Sequence, residues 1–398
     1  MFGMKPGLDS IGTVCSRLGD PQDALRVVHV AGTNGKGATC ALIESSLRAA
    51  GFSTGRYTSP HLVSLTERFM LNGTPVSEES LDEAYASLPD TEGLTYFELL
   101  TAAAFELYRR KQVDWLVLET GLGGRLDATN IVKRPELCVI TRIGLDHCDW
   151  LGGTLREIAT EKGGIIKEGV PVVLGAMPDE ARDVLERIAK ERNAPCVYAP
   201  DAVKDTEIPS GFALGGKFNR ENAQTALAAL KVLSVGRDAI ERGFASVVWP
   251  GRFQKIVRDG GLFIVDGAHN PPAMRALVDS LKEDAMPVNA VICGFCGDKD
   301  VAANLALLRE VADRGLAVSI RNPRSLSAET TAKLMRESGF ADACPCKSLE
   351  EALSLAPDST VVCGSLFLAG EVLQLLNAAP CGANGFTPNE TLSAAFHG

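Results

Sequence analysis

The chain has no excess of positive charge: Lys and Arg total 40 against 50 Asp and Glu, a net charge of −10. That balance argues against nucleic acid or an anionic membrane surface as the main partner. A polyanionic small substrate stays open, because a few local cations decide that and the total does not. Long apolar runs are also missing. No stretch approaches the about eighteen consecutive apolar residues that read as a membrane span. The start, MFGMKPGLDSIG, shows no basic run followed by an apolar segment, so a secretory leader is not expected. Nor is there a disulfide framework. Eleven cysteines, an odd number scattered over 398 residues, fit reduced thiols and a cytoplasmic setting. No repeat of solenoid period is found, and nothing demands more than a monomer.

What is present is globular. The chain is 45% hydrophobic and 23% charged, and its length is too great for one ordinary core. Short Val- and Ile-rich runs alternate with amphipathic helical patterns, which predicts α/β layering over a mostly parallel sheet. Strands are expected at 26–31, 113–119, 137–141, 171–174 and 196–198, with helices at 96–111, 180–192 and 219–233. After Trp249-Pro250-Gly251-Arg252 the rhythm restarts, with strands at 262–266, 288–293, 316–320 and 360–363. Pro and Gly beside a bulky Trp mark a boundary. The expected domains are therefore 1–248 and a smaller, Rossmann-like α/β domain at 249–398, hinged near 249–252. The tail from Ala378, rich in Ala, Gly, Pro and Asn, reads as loosely held.

Four segments carry chemistry. In the first, the strand reaching Ala31 enters Gly32-Thr33-Asn34-Gly35-Lys36-Gly37-Ala38-Thr39, and a helical run at 40–50 follows. This order places backbone N–H groups and a positive helix end around an anion, with Lys36 reaching terminal phosphates. It departs from a strict phosphate-loop pattern, since Val30 stands at the first Gly position and Gly37 follows the Lys. An ordinary glycine turn would read the same way.

In the second, an apolar strand delivers Glu119 to its C-terminal end, ahead of a Gly-rich loop with Arg125 and Asp127. Glu119 fits a Mg ligand beside phosphates and equally a cap on the next turn. The third segment brings Asp146 and His147 after a strand, then Lys162 between Glu161 and an apolar Gly/Ile run. A free ammonium there is costly to bury unless paired or modified, and a surface or salt-bridged lysine is the default reading. In the fourth, a buried strand ends in Asp266, His269 and Asn270, and Pro271 opens the next helix. Arg252 lies just upstream. Cys293 and Cys296 form a C-x-x-C pair, but it closes a strand and runs into the loop 297–300, so a metal or redox role is the lesser reading.

Taken together, the segments resemble the folylpolyglutamate synthase/dihydrofolate synthase family of the Mur ligase superfamily. The resemblance runs through HVAGTNGKG, YTSPHL with ERF after it, ETGLGGRLDATN, DHCDWLG, EKGGIIKEGVP, WPGRF, DGAHNP, GDKD and GSLFLAGEV, in the family's order. It implies an N-terminal mononucleotide-binding domain and a C-terminal glutamate-ligase domain. The loop Thr33, Asn34, Gly35, Lys36, Gly37, Ala38 and Thr39 would hold ATP phosphates. Ser59, Glu119 and His147 would bind Mg, and Lys162, carried as a carbamate, would add an oxygen ligand to a second Mg. Asn222, Arg252 and Asp266 would contact the nucleotide. Arg68 would meet the folate substrate, His269 and Ser365 the incoming glutamate, and Asp127 the catalytic centre. Three departures stand out: Ala38 replaces a serine, Phe218-Asn219 replaces a His-Gln pair, and Gly163-Gly164 replaces Ala-Gly.

The activity so implied joins L-glutamate to dihydropteroate or a reduced folate. ATP first phosphorylates the carboxylate, the glutamate amine attacks the acyl phosphate, and closure of the C-terminal domain keeps water out. A cell-wall Mur ligase is the nearest rival, to be separated by a uridine-nucleotide substrate test. A nucleotide-binding regulatory module is the other, and it leaves the 266–270 cluster unexplained.

Overall fold

The computed structural model describes residues 7–258 and 261–376; the tail expected from Ala378 and residues 1–6 of the N-terminal reading lie outside them. The described chain divides into two compact units, 7–213 with 221–248, and 214–220 with 249–376.

The first unit is built on an eight-stranded sheet. Its strands are β1 Val27–Ala31, β2 Thr54–Tyr57, β3 Phe69–Leu71, β4 Thr74–Pro75, β5 Trp115–Glu119, β6 Leu137–Ile140, β7 Val172–Leu174 and β8 Cys196–Tyr198. The spatial order is β4-β3-β2-β5-β1-β6-β7-β8. The β3 and β4 edge is antiparallel and the rest is parallel. β1, β5 and β6 are buried along their whole length, which is why they read as near-continuous apolar runs. One face packs Tyr57, Phe69, Phe105 and Tyr108 into a cluster, and a second cluster gathers Ile140, Ile158, Val172 and Leu185. Each such side chain contributes on the order of 2 kcal/mol through burial. The helix Tyr96–Arg110 starts at a capping box in which Thr95 and Glu98 satisfy each other's backbone N–H.

The second unit has a six-stranded sheet, ordered β13-β12-β11-β14-β10-β9. Here β9 is Gln254–Arg258, β10 Gly261–Val265, β11 Ala290–Cys293, β12 Arg314–Ala317, β13 Asp342–Pro345 and β14 Thr360–Cys363. Only β9, at the edge, runs antiparallel to its neighbour. The core holds Phe253, Ile264, Leu277, Phe295, Leu305 and Met335. The strand expected at 316–320 falls at 314–317, because the chain turns away after Val318 donates its last ladder bond to the Cys293 carbonyl.

Candidate active site

Parallel packing puts the C-terminal ends of β1, β2, β5 and β6 along one edge, and the candidate residues of the first unit leave from those ends. Register sets Val30 beside Glu119 and Ala31 beside Ile140, so the loops after β1, β5 and β6 begin level.

After β1 the chain turns through 32–35 into the helix Lys36–Ala49. Gly35 caps that helix in the left-handed region, at φ 87°, with no side chain bonding the first turn. A β-carbon there would stand 2.1 Å from the Asn222 Oδ1. The turn is thus closed against Asn222, and the first-turn N–H groups of the helix are left without a side-chain cap. Thr33 does something else: its hydroxyl donates to the Gly144 carbonyl and accepts from the Gly144 N–H, both at 3.1 Å. Thr141 adds a 2.8 Å bond to the Asn34 carbonyl. The 32–35 turn is therefore fastened to the loop after β6. Beside Ala38, the Thr39 hydroxyl is buried with no hydrogen-bond partner.

Charges gather at this edge. Lys36 Nζ lies 3.8 Å from Glu119 Oε1, and Glu119 Oε2 accepts the Ser59 N–H at 3.0 Å. Lys162, 4% exposed, donates to the Gly32 carbonyl at 2.8 Å. Burial first, then the nearby Lys36 ammonium, bring its amine down to about 7, against the pull of Asp146 and Asp127. The default of a surface or salt-bridged lysine therefore gives way to a buried amine on a backbone carbonyl.

The Gly-rich loop after β5 packs backbone to backbone on this lysine's helix. A β-carbon on Gly124 would meet the Glu161 and Lys162 carbonyls at 2.8 Å. Arg125 pairs with Glu161 at 2.9 Å. Asp127 is buried and wholly engaged: Oδ2 accepts the Leu122 N–H at 2.8 Å, and Oδ1 accepts the N–H and hydroxyl of Thr129. Burial raises its pKa, and those bonds oppose the rise. It staples the loop shut.

Two more residues stand around this edge. His147 sits in the left-handed region at φ 51°, half exposed, beside Asp146. Arg68 is buried, donates from Nε to His61 Nδ1 at 3.0 Å, and lies 6.0 Å from the Tyr96 ring centre.

In the second unit, the ends of β10 and β14 are adjacent, and their loops bond directly. Asp266 N–H reaches the Val362 carbonyl at 2.9 Å and Gly364 N–H the Ala268 carbonyl at 2.8 Å. Asp266 is buried, accepting the Phe253 and Ala268 N–H groups at 2.7 and 2.8 Å. Burial raises its pKa and Arg252 opposes this. His269 donates from Nδ1 to the Gly267 carbonyl at 2.8 Å. Asn270 and Ser365 cap the helices Pro271–Glu283 and Leu366–Leu375. Asn219, one of the departures, is buried with its amide on the Gly215 carbonyl, a fold contact. The C-x-x-C pair closes β11 with both cysteines buried, and among the described residues no group of three or more His, Cys, Asp or Glu could hold a metal.

Reading the sequence missed His29 and Thr129. His29 is a fully buried polar residue in an otherwise apolar strand, and that break in the pattern was the available signal. Its Nε2 lies 2.8 Å from the Thr129 hydroxyl.

Residues 30–202 match the Mur ligase middle domain and 251–366 the Mur ligase glutamate ligase domain. The chain is 38% identical over 397 residues to the dihydrofolate synthase/folylpolyglutamate synthase of Escherichia coli, covering 94% of this chain and 92% of that one. Its structure resembles E. coli FolC in complex with DHPP and ADP, with a TM-score of 0.83, 35% identity and 94% of each chain covered. It also resembles a bifunctional folylpolyglutamate synthase/dihydrofolate synthase with Mn, AMPPNP and L-glutamate bound, with a TM-score of 0.81 and 33% identity over 94% of this chain and 95% of that one. The chain belongs to the folylpolyglutamate synthase/dihydrofolate synthase family of the Mur ligases.

Proposed function

We propose that this ATP-dependent ligase forms an amide between L-glutamate and a folate-type carboxylate, dihydropteroate, a tetrahydrofolate polyglutamate or both, releasing ADP and phosphate. The observation that carries the reading is the meeting of Lys36, Glu119, Ser59 and Lys162 at the open end of the phosphate loop. A carboxylate and an amine do not condense in water, so the γ-phosphoryl of ATP first moves to the folate carboxylate. The amine of glutamate then attacks this acyl phosphate, and phosphate leaves with the C–O bond electrons.

Each residue has a task in this scheme. Lys36 and the first-turn N–H groups of the helix Lys36–Ala49 stabilise charge on the transferring phosphoryl group. The donor set at Glu119 and Ser59 is hard oxygen, which fits a divalent cation such as Mg. Glu119, Ser59 and His147 would hold it, a carbamylated Lys162 would add an oxygen ligand to a second, and when bound these cations would neutralise phosphate charge. Lys162 suits carbamylation: as a neutral amine it adds to carbon dioxide, giving a carbamate and releasing one proton. The anion then removes an awkward buried cation beside Lys36. Thr39 supplies the hydroxyl that Ala38 lacks. Asn222, Arg252 and Asp266 serve the nucleotide, His269 and Ser365 the glutamate, and Arg68 the folate.

Among the described residues no helix is long and apolar enough to cross a membrane. The ten cysteines described are all free thiols, which supports a reducing, cytoplasmic setting. A monomer suffices, and no nucleic acid enters the scheme.

The test is ADP release with ATP, Mg and glutamate, offering dihydropteroate or tetrahydrofolate and weighing the products. Turnover with dihydropteroate assigns the first glutamylation, with tetrahydrofolate the extension, and with both a bifunctional enzyme. Protein that binds ATP yet turns over neither would overturn the folate reading.

A further inference from the structure

We infer that His29 and Thr129 are positioning residues that hold Asp127, and through it the 120–127 loop, in working geometry. The inference rests on the reading that Asp127 serves the reaction.

The hydrogens leave one arrangement. Thr129 has a single hydroxyl proton, and its 2.5 Å contact with the Asp127 carboxylate takes it. A carboxylate accepts, so the hydroxyl donates to it. The 2.8 Å contact with His29 Nε2 must then be a donation from the ring to the Thr129 oxygen. His29 is thereby set as the Nε2–H tautomer, with Nδ1 a bare acceptor. That Nδ1 is buried and has no hydrogen-bond partner. Burial, and then Lys167, hold the ring neutral, with its pKa down at about 3.

A fully buried imidazole with one nitrogen unsatisfied is a poor choice for an apolar central strand. Its neighbours Val28 and Val30 show what the strand accepts without cost. The one polar contact that His29 makes reaches the hydroxyl that grips Asp127. Donation into Thr129 polarises that hydroxyl and strengthens its own donation to the carboxylate. Asp127 in turn fixes the Leu122 N–H, and so the Gly-rich turn that lies on the Lys162 helix. The turn 128–131 is tied again through Asn130, whose amide bonds the Arg125 and Gly164 carbonyls, and Lys167 bonds its side-chain oxygen. His29 adds a side-chain tie from β1, the strand that leads into the 32–35 turn, to the backbone bond in which the Thr120 N–H donates to the Val30 carbonyl at 2.9 Å.

The experiment compares H29L, H29Q, T129V, the H29L/T129V double variant and D127N for kcat, KM for ATP and melting temperature. Gln places an amide N–H near the position of Nε2, so H29Q restores the donor. We expect H29L to lower kcat roughly tenfold, with KM for ATP within about twofold and melting temperature not reduced. H29Q should recover most of the loss. Because one chain of bonds is cut at two points, the double variant should be no worse than T129V alone. Wild-type kcat in H29L, equal loss in H29L and H29Q, or losses that multiply in the double variant would each overturn the relay. So would activity that merely tracks melting temperature across the set. Full activity in D127N would instead sink the role of Asp127 itself, which separates the two failures.

Discussion

The two shoulders of strand-end loops solve the same problem differently. In the first unit, charged groups stand close together: Lys36 lies 3.8 Å from Glu119, and the buried Lys162 donates to the Gly32 carbonyl at 2.8 Å. In the second unit, the buried carboxylate of Asp266 is saturated by two backbone N–H groups, and Asn270 and Ser365 are occupied capping helices. The contrast sets the close, incompletely paired charges around Lys36 and Lys162 against carboxylates such as Asp266, and Asp127 in the first unit, that backbone N–H groups hold in place. A buried charge without a full partner costs stability, and a fold retains it where a reaction supplies the partner.

This contrast can be broken by experiment, beginning with the largest effect. Lys36→Ala should remove ligation, on the order of a thousandfold or more, with the far-ultraviolet spectrum and melting temperature unchanged. Near-normal turnover would remove Lys36 from the chemistry.

Lys162→Met should cut turnover by about a hundredfold and yet stabilise the protein by on the order of 1 kcal/mol. The sign follows from protonation. The Lys162 amine sits at about 7 when folded against an ordinary 10.5. Between those values the unfolded chain binds more protons, so this group makes wild-type stability rise with pH across that window, and Met abolishes that contribution. A melting temperature for Lys162→Met that falls would show the lysine to be a structural tie. Lys162→Ala, with small carboxylates added, should regain part of the lost turnover; no loss in that variant would argue against the carbamate.

In the second unit the order reverses. Asp266→Asn should cost about 1–3 kcal/mol of stability, because an amide nitrogen faces a backbone N–H that has lost its acceptor. Chemical denaturation read from second-unit fluorescence or exchange would measure it, and an unchanged midpoint would contradict the saturated-carboxylate picture. Smallest of all, Cys296→Ala should leave turnover within about twofold, and metal analysis of the wild type should find no zinc.

Much of this was legible in the residues. The strands expected at 137–141 and 360–363 are found at 137–140 and 360–363, and they are apolar because both faces of a parallel sheet are covered. Pro271 after Asn270 marked a helix start that the structure keeps. The short edge strands β3 and β4, of three and two residues, are too brief for a period to register in the sequence, although Asn72-Gly73 between them is a hairpin signal. At the site, Lys36 and Glu119 could be placed from strand ends alone. The work of Thr33 could not, because its partner Gly144 is far along the chain and glycine carries no side-chain signal. Asp127 could be named but not its grip on Leu122 and Thr129, nor the hold of His29 on Thr129, since a lone buried histidine is ambiguous until its neighbour is seen.

The most direct measurement of the central claim follows a heavy-oxygen label placed in the benzoate carboxylate of dihydropteroate. If that carboxylate is phosphorylated and the glutamate amine then expels phosphate, one labelled oxygen per turnover appears in the released phosphate. Amide product accompanied by unlabelled phosphate would contradict the acyl-phosphate account.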